Sequence, residues 1–104
     1  MPIPDFAAHG ALPPFTSGHP TIPDARSPFP ATMREVVDRF CTSPERAKLL
    51  KGLNEYRRLL HSGGFVSGSQ WIDGSFIENI EFLRNRSPRD IDVVTLFNRP
   101  VKYQ

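Results

Sequence analysis

Eight of the eleven prolines stand within the first thirty residues, and this crowding limits what that stretch can become. Proline has a fixed φ and no amide hydrogen, so prolines this closely spaced exclude a helix interior and a central strand. The same stretch carries Ile3, Phe6, Leu12, Phe15, Ile22 and Phe29, which speaks against a purely disordered tail. Residues 1–30 therefore read as an extended arm, in places of polyproline geometry, lying across the domain or a partner. A mobile leader is the alternative. The core has to come from residues 31–104 of a 104-residue chain, and a domain of that size buries a smaller share of its surface than a larger one.

Composition narrows the class. Thirteen Lys and Arg against eleven Asp and Glu give a net charge of +2, a small excess that does not by itself argue for nucleic acid. The single cysteine, Cys41, excludes an intramolecular disulfide and a cysteine-based zinc site, and is expected to fill a small apolar space at a helix end. No stretch approaches the ~20 apolar residues of a membrane span, and the proline-rich start lacks the regions of a signal peptide. The expectation is a soluble, cytoplasmic protein with no membrane partner.

Past the arm, helix signals are strong. Thr32-x-x-Glu35 is a capping box that opens a helix to about Phe40, with Met33, Val36, Val37 and Phe40 on one side. Ser43-Pro44-Glu45 opens a second, with Ser43 as cap and Pro44 at the first helical position. It reaches about His61, has an apolar stripe of Ala47, Leu50, Leu53, Tyr56 or Arg57, and Leu60, and stops at Gly63-Gly64. Its other face, with Arg46, Lys48, Lys51, Arg57 and Arg58, reads as solvated, or alternatively as a patch for nucleotide or RNA phosphates. His9, His19 and His61 have no ligand spacing.

Two strands follow. Gln70–Asp73 is the first, led in by Phe65-Val66, with Trp71 expected in the core. Ile91–Phe97 is the second, and the apolar run of Val93, Val94, Leu96 and Phe97 implies burial on both faces. Between them Phe76, Ile77, Ile80 and Leu83 stripe a third helix, which predicts a right-handed crossover to a parallel or mixed second strand. Two strands are too few for a stable sheet. A further strand is expected from the arm, from residues 101–104, from a second copy, or from polypeptide absent here.

The chemistry concentrates at Trp71-Ile-Asp-Gly-Ser75 and Asp90-Ile-Asp92. Side chains alternate along a strand, so Asp90 and Asp92 share one face. Their repulsion is most simply relieved by a divalent cation, and hard oxygen ligands suit Mg2+, or Mn2+. Gly74 lets a ligand approach the backbone. Ser75 and Glu78 form a second capping box, whose free amides favour phosphate. Arg84, Arg86 and Arg89 lead to the aspartates, either to bind a triphosphate or to offset the two carboxylates.

Gly74-Ser75 followed by Asp90-Ile-Asp92-Val-Val94 resembles the signature of the nucleotidyltransferase superfamily, which includes DNA polymerase beta, tRNA-nucleotide-adding enzymes and the minimal nucleotidyltransferases of toxin–antitoxin systems. With IPDF, ALPPF and RFCTSPERAKLLKGL, the chain is similar to a bacterial nucleotidyltransferase-like family of unknown function. The resemblance implies an α/β fold, a mixed sheet with flanking helices, truncated or minimal, preceded by the Pro-rich arm, with the nucleotidyltransferase-like domain over residues 31–104. It further implies Asp90 and Asp92 as metal ligands and catalytic residues, and Gly74 and Ser75 holding nucleotide phosphates, with Arg89 as a further nucleotide-binding candidate. The reaction implied is transfer of a nucleoside monophosphate from a nucleoside triphosphate to a hydroxyl, the acceptor being RNA or protein.

Two features depart from that pattern. The spacer from Phe76 to Arg89 is long, and no acid follows Asp92, where the superfamily has a third carboxylate on a later strand. Asp73, Glu78 and Glu81 are the nearby acids that could substitute; otherwise the domain is incomplete or degenerate. A homo-oligomer, or a partner chain completing the sheet, is expected. A non-catalytic, antitoxin-like or interaction partner is the alternative function.

Overall fold

The computed structural model describes residues 3–13 and 28–98, in the order α1 (Met33–Phe40), α2 (Pro44–Ser62), β1 (Gly68–Asp73), a 3-10 turn (Ser75–Ile77), α3 (Ile80–Arg84) and β2 (Asp92–Phe97). The first two helices begin as their sequences require. The Thr32 hydroxyl accepts from the Glu35 amide while the Glu35 carboxylate accepts from Thr32, closing the capping box. Ser43 accepts from the Arg46 amide, with Pro44 at the start of α2 and Gly63 as its C-cap.

The third helix departs from expectation. Ser75 makes no cap; the segment opens as a three-residue 3-10 turn under Gly74, and α3 has five residues, closed by Asn85 in the left-handed conformation. Asn79 follows Glu78 in extended geometry, which breaks the stripe of Phe76, Ile77, Ile80 and Leu83 into two pieces. A helix of five residues advances only about 7.5 Å, too little to carry the chain back along a strand of six. Consequently β2 leaves from the end at which β1 arrives, and the two strands pair antiparallel, from Gly68 opposite Phe97 to Asp73 opposite Asp92. The predicted parallel crossover is thereby corrected. The described residues form a mixed α/β structure whose sheet has these two strands.

The core lies between the helices and one face of that sheet. Ile3, Val36, Phe40, Leu50, Leu53 and Phe76 form the buried cluster, with Ile72, Ile91 and Val93 packed against it. Phe40 stacks tilted on both Phe6 and Phe76, at 6.0 and 5.5 Å between centroids. The start of the arm is part of this core: Ile3 is buried, its carbonyl accepts from Arg39 at 2.9 Å, and the Gly10 carbonyl accepts from the Asn79 amide at 2.7 Å. Phe15 and Ile22 of the expected arm, and the suggested strand at 101–104, lie outside the described residues.

Burial on both faces of β2 is not found. Directly opposed residues of an antiparallel pair share a face, and the face carrying Trp71 opposite Val94 and Ser69 opposite Leu96 is open, with Trp71 52%, Val94 59% and Leu96 55% exposed. Trp71 is therefore a surface residue, not a core one. The apolar run in β2 reflects an open face among the described residues. Cys41 caps α1 but is exposed and fills no apolar space. Among the described residues no helix is long and apolar enough to cross a membrane.

Candidate functional site

The end of the ladder gathers part of the predicted site. Asp92 is the first residue of β2 and faces Asp73, the last of β1. Both are exposed, and so is Asp90, which precedes the strand. The alternation argument that paired Asp90 with Asp92 thus applies to only one of them, since Asp90 lies outside the ladder; the ladder itself pairs Asp92 with Asp73. Two carboxylates directly opposed across strands repel one another. Asp73 turns one oxygen back on the chain, accepting from the Gly74 amide at 2.8 Å.

Gly74 is where this corner closes. Its φ of 84° is in the range that side chains rarely adopt, and a Cβ built on it would stand 2.5 Å from Oδ2 of Asp92. Glycine is thus favoured by the backbone conformation, and a side chain there would also have to displace the exposed carboxylate of Asp92. The glycine turn and Asp92 occupy one corner of the fold. Ser75 follows at the head of the 3-10 turn, half-buried, with no capping role for its hydroxyl. The expected capping box, with its long helix and full dipole, is replaced by this short turn, so the site lacks the strong anion-favouring helix end predicted for it.

What holds the turn in place is a residue that sequence reasoning assigned to solvent. Arg46 of α2 is 1% exposed and lies over the Phe76 ring, 5.1 Å from its centroid. Its guanidinium donates to the carbonyls of Phe76 (2.6 Å) and Glu78 (2.7 Å) and to both oxygens of Glu81 (2.8 and 3.1 Å). A buried charge is tolerated only when paired and hydrogen-bonded, and the fork geometry of Arg meets that requirement here. The hydrogen bond from Arg46 lowers the Glu81 pKa from its ordinary value, against the opposing effect of partial burial. The sequence held one signal: Arg46 lies four residues before Leu50 on the buried stripe. Nothing in the sequence named its partners, thirty and more residues away.

Both oxygens of Glu81, one of the acids considered as a third carboxylate, are thus engaged by Arg46. Asp73 is placed opposite Asp92, while the Glu78 carbonyl is engaged by Arg46. Among the described residues no group of three His, Cys, Asp or Glu side chains is arranged to hold a metal ion. Arg84, Arg86 and Arg89 form none of the ion pairs among the described residues, which join Arg34, Arg39, Arg46 and Arg58 to other acids. Arg86 instead donates to the Ser87 carbonyl at 3.0 Å. Arg89 is exposed beside Asp90, and the neighbouring Pro88 is buried and anchors the loop.

Residues 4–104 match the model of a family of unknown function, DUF6932. The chain belongs to that family. No curated protein and no solved structure matches it.

Proposed function

We propose that the Gly74–Asp92 corner binds a nucleoside triphosphate together with Mg2+ or Mn2+, as in the nucleotidyltransferase superfamily that its motifs resemble. The observation carrying this reading is the contact of Gly74 with Asp92: a turn that favours glycine adjoins an exposed carboxylate. Magnesium takes one or two carboxylates and completes its shell with water and substrate phosphates. Asp92 with Asp90 or Asp73 fits that demand for a single ion. The bound ion would supply charge stabilisation on the phosphoryl oxygens. Gly74 leaves the backbone approachable, the Ser75 hydroxyl is available to the phosphates, and Arg89 offers a guanidinium without an ion-pair partner among the described residues. In the catalytic form of the proposal a nucleoside monophosphate passes to an acceptor hydroxyl on RNA or protein and pyrophosphate leaves. Binding is favoured over turnover, because among the described residues no three-acid group assembles to shape a two-metal site.

A second reading, a non-catalytic nucleotidyltransferase-like fold acting as an antitoxin-like or interaction partner, draws on the open apolar sheet face at Trp71, Val94 and Leu96.

Thermal melts test the first reading. A non-hydrolysable triphosphate with Mg2+ should raise Tm by mass action, and Asp92→Asn or Gly74→Val should remove the rise. Absence of any rise with all four triphosphates would overturn it. Incubation with α-labelled triphosphate then separates binding from turnover: label appearing on RNA or protein, and lost in Asp92→Asn, marks a working transferase.

A further inference from the structure

One cavity among the described residues lies away from the aspartate corner. It lies at the opposite end of the ladder, between the last turns of α2, the start of α1 and the inner face of the sheet, and holds about 420 Å³. Five residue steps separate the Gly68–Phe97 pair from the Asp73–Asp92 pair, which is about 17 Å along a strand. The volume is within the range of small-molecule sites, ~300–1,000 Å³.

Its chemistry is one-sided. Arg57 and His61, one turn apart on α2, both line it, and no acid stands among its described lining residues. Neither forms any of the ion pairs among the described residues. The sheet contributes neutral polar groups: the Gln70 amide donates to the Thr95 hydroxyl at 3.1 Å, and Tyr56 braces that hydroxyl from the helix side at 3.2 Å. Apolar surface comes from Leu60 and from Phe97, whose ring is held edge-on against Phe65 at 4.6 Å.

We infer that this cavity is a binding site for a small organic anion with an apolar or aromatic body, its carboxylate or phosphate on Arg57 and His61 and its body against Leu60 and Phe97. A cationic ligand would find no carboxylate there. A wholly apolar one would cover the Arg57 guanidinium without pairing it, a cost that an anionic head group removes. The site is separate from the aspartate corner, so it stands or falls independently of the nucleotidyltransferase reading.

The test is a ¹H–¹⁵N NMR titration of the full chain with three probes of one shape: naphthalene-1-acetate, 1-naphthyl phosphate and the uncharged naphthalene-1-acetamide. Saturable shifts are expected at residues 57–61, 67–70 and 95–97, with at least one anion binding ten-fold more tightly than the amide. The tighter of the two anions then identifies the head group. Arg57→Gln with His61→Gln, both exposed positions, should bring anion and amide to equal affinity. Three results would overturn the inference: no saturation, equal binding of all three probes to the wild type, or shifts confined to Trp71, Val94 and the open sheet face. The wild-type comparison alone decides if the double variant fails to fold.

Discussion

Arg46 ties the packing of α2 to the geometry of the candidate site. One guanidinium satisfies two backbone carbonyls and a carboxylate on the segment just after Gly74. Truncation would leave the buried Phe76 carbonyl without its donor and the partly exposed Glu81 without its partner. Arg46→Ala is expected to destabilise by about 1–3 kcal/mol, the range for leaving a buried acceptor unsatisfied. Arg46→Lys keeps the charge but has no fork to serve three acceptors, and should fall between Ala and the wild type. Urea unfolding of the three proteins checks the order. The pair also has a pH signature. Glu81 has a folded pKa below its ordinary value of 4.5, so its contribution is fully present above that pH and is lost as the pH falls through the lower, folded value. The Tm gap between wild type and Glu81→Gln should therefore be widest at neutral pH and close in strong acid. A gap that stays constant through that range would refute the pairing as the cause.

At the scale of elements, two capping signatures of the same type have different outcomes. Thr32–Glu35 closes both reciprocal bonds, whereas Ser75–Glu78 closes neither. The difference is what surrounds them. Residues 75–84 must leave β1, place Phe76 fully in the core and meet the Gly10 carbonyl through Asn79, and a continuous helix is given up for that. Thr32→Ala should accordingly cost about 1 kcal/mol, the usual price of an N-cap. Ser75→Ala should shift stability by no more than about 0.5 kcal/mol, as for positions outside any such motif. Equal losses from the two substitutions, measured by denaturant midpoints, would mean that Ser75 caps after all.

For the whole molecule, the described sheet has two strands, with an open face at Trp71, Val94 and Leu96. Two-stranded sheets are marginal alone, and exposed apolar faces mark contact surfaces. Self-association through this face is expected. Sedimentation should show a concentration-dependent dimer that Val94→Lys, at a site 59% exposed, returns to monomer without loss of Tm. A wild type that stays monomeric throughout would refute it.

The local chemistry of the chain determined α1, α2 and the two strands, but not the third helix. Thr32 and Ser43 placed the first two helix starts, Gly63 the stop of the second, alternation about Trp71 the first strand and the apolar run from Val93 to Phe97 the second, because caps, prolines and residue patterns act within a few residues of themselves. Gly74 beside the aspartates was legible as a motif for the same reason. The tertiary structure decided what depends on separation in sequence: that β2 returns antiparallel, that Asp73 stands opposite Asp92 while Asp90 lies outside the ladder, that the apolar run of β2 is open on one side, and that Arg46 is a buried clasp and not a solvated charge. A side chain's partners thirty residues away are set by how elements pack, and the burial of a charge follows from the acceptors that packing delivers to it.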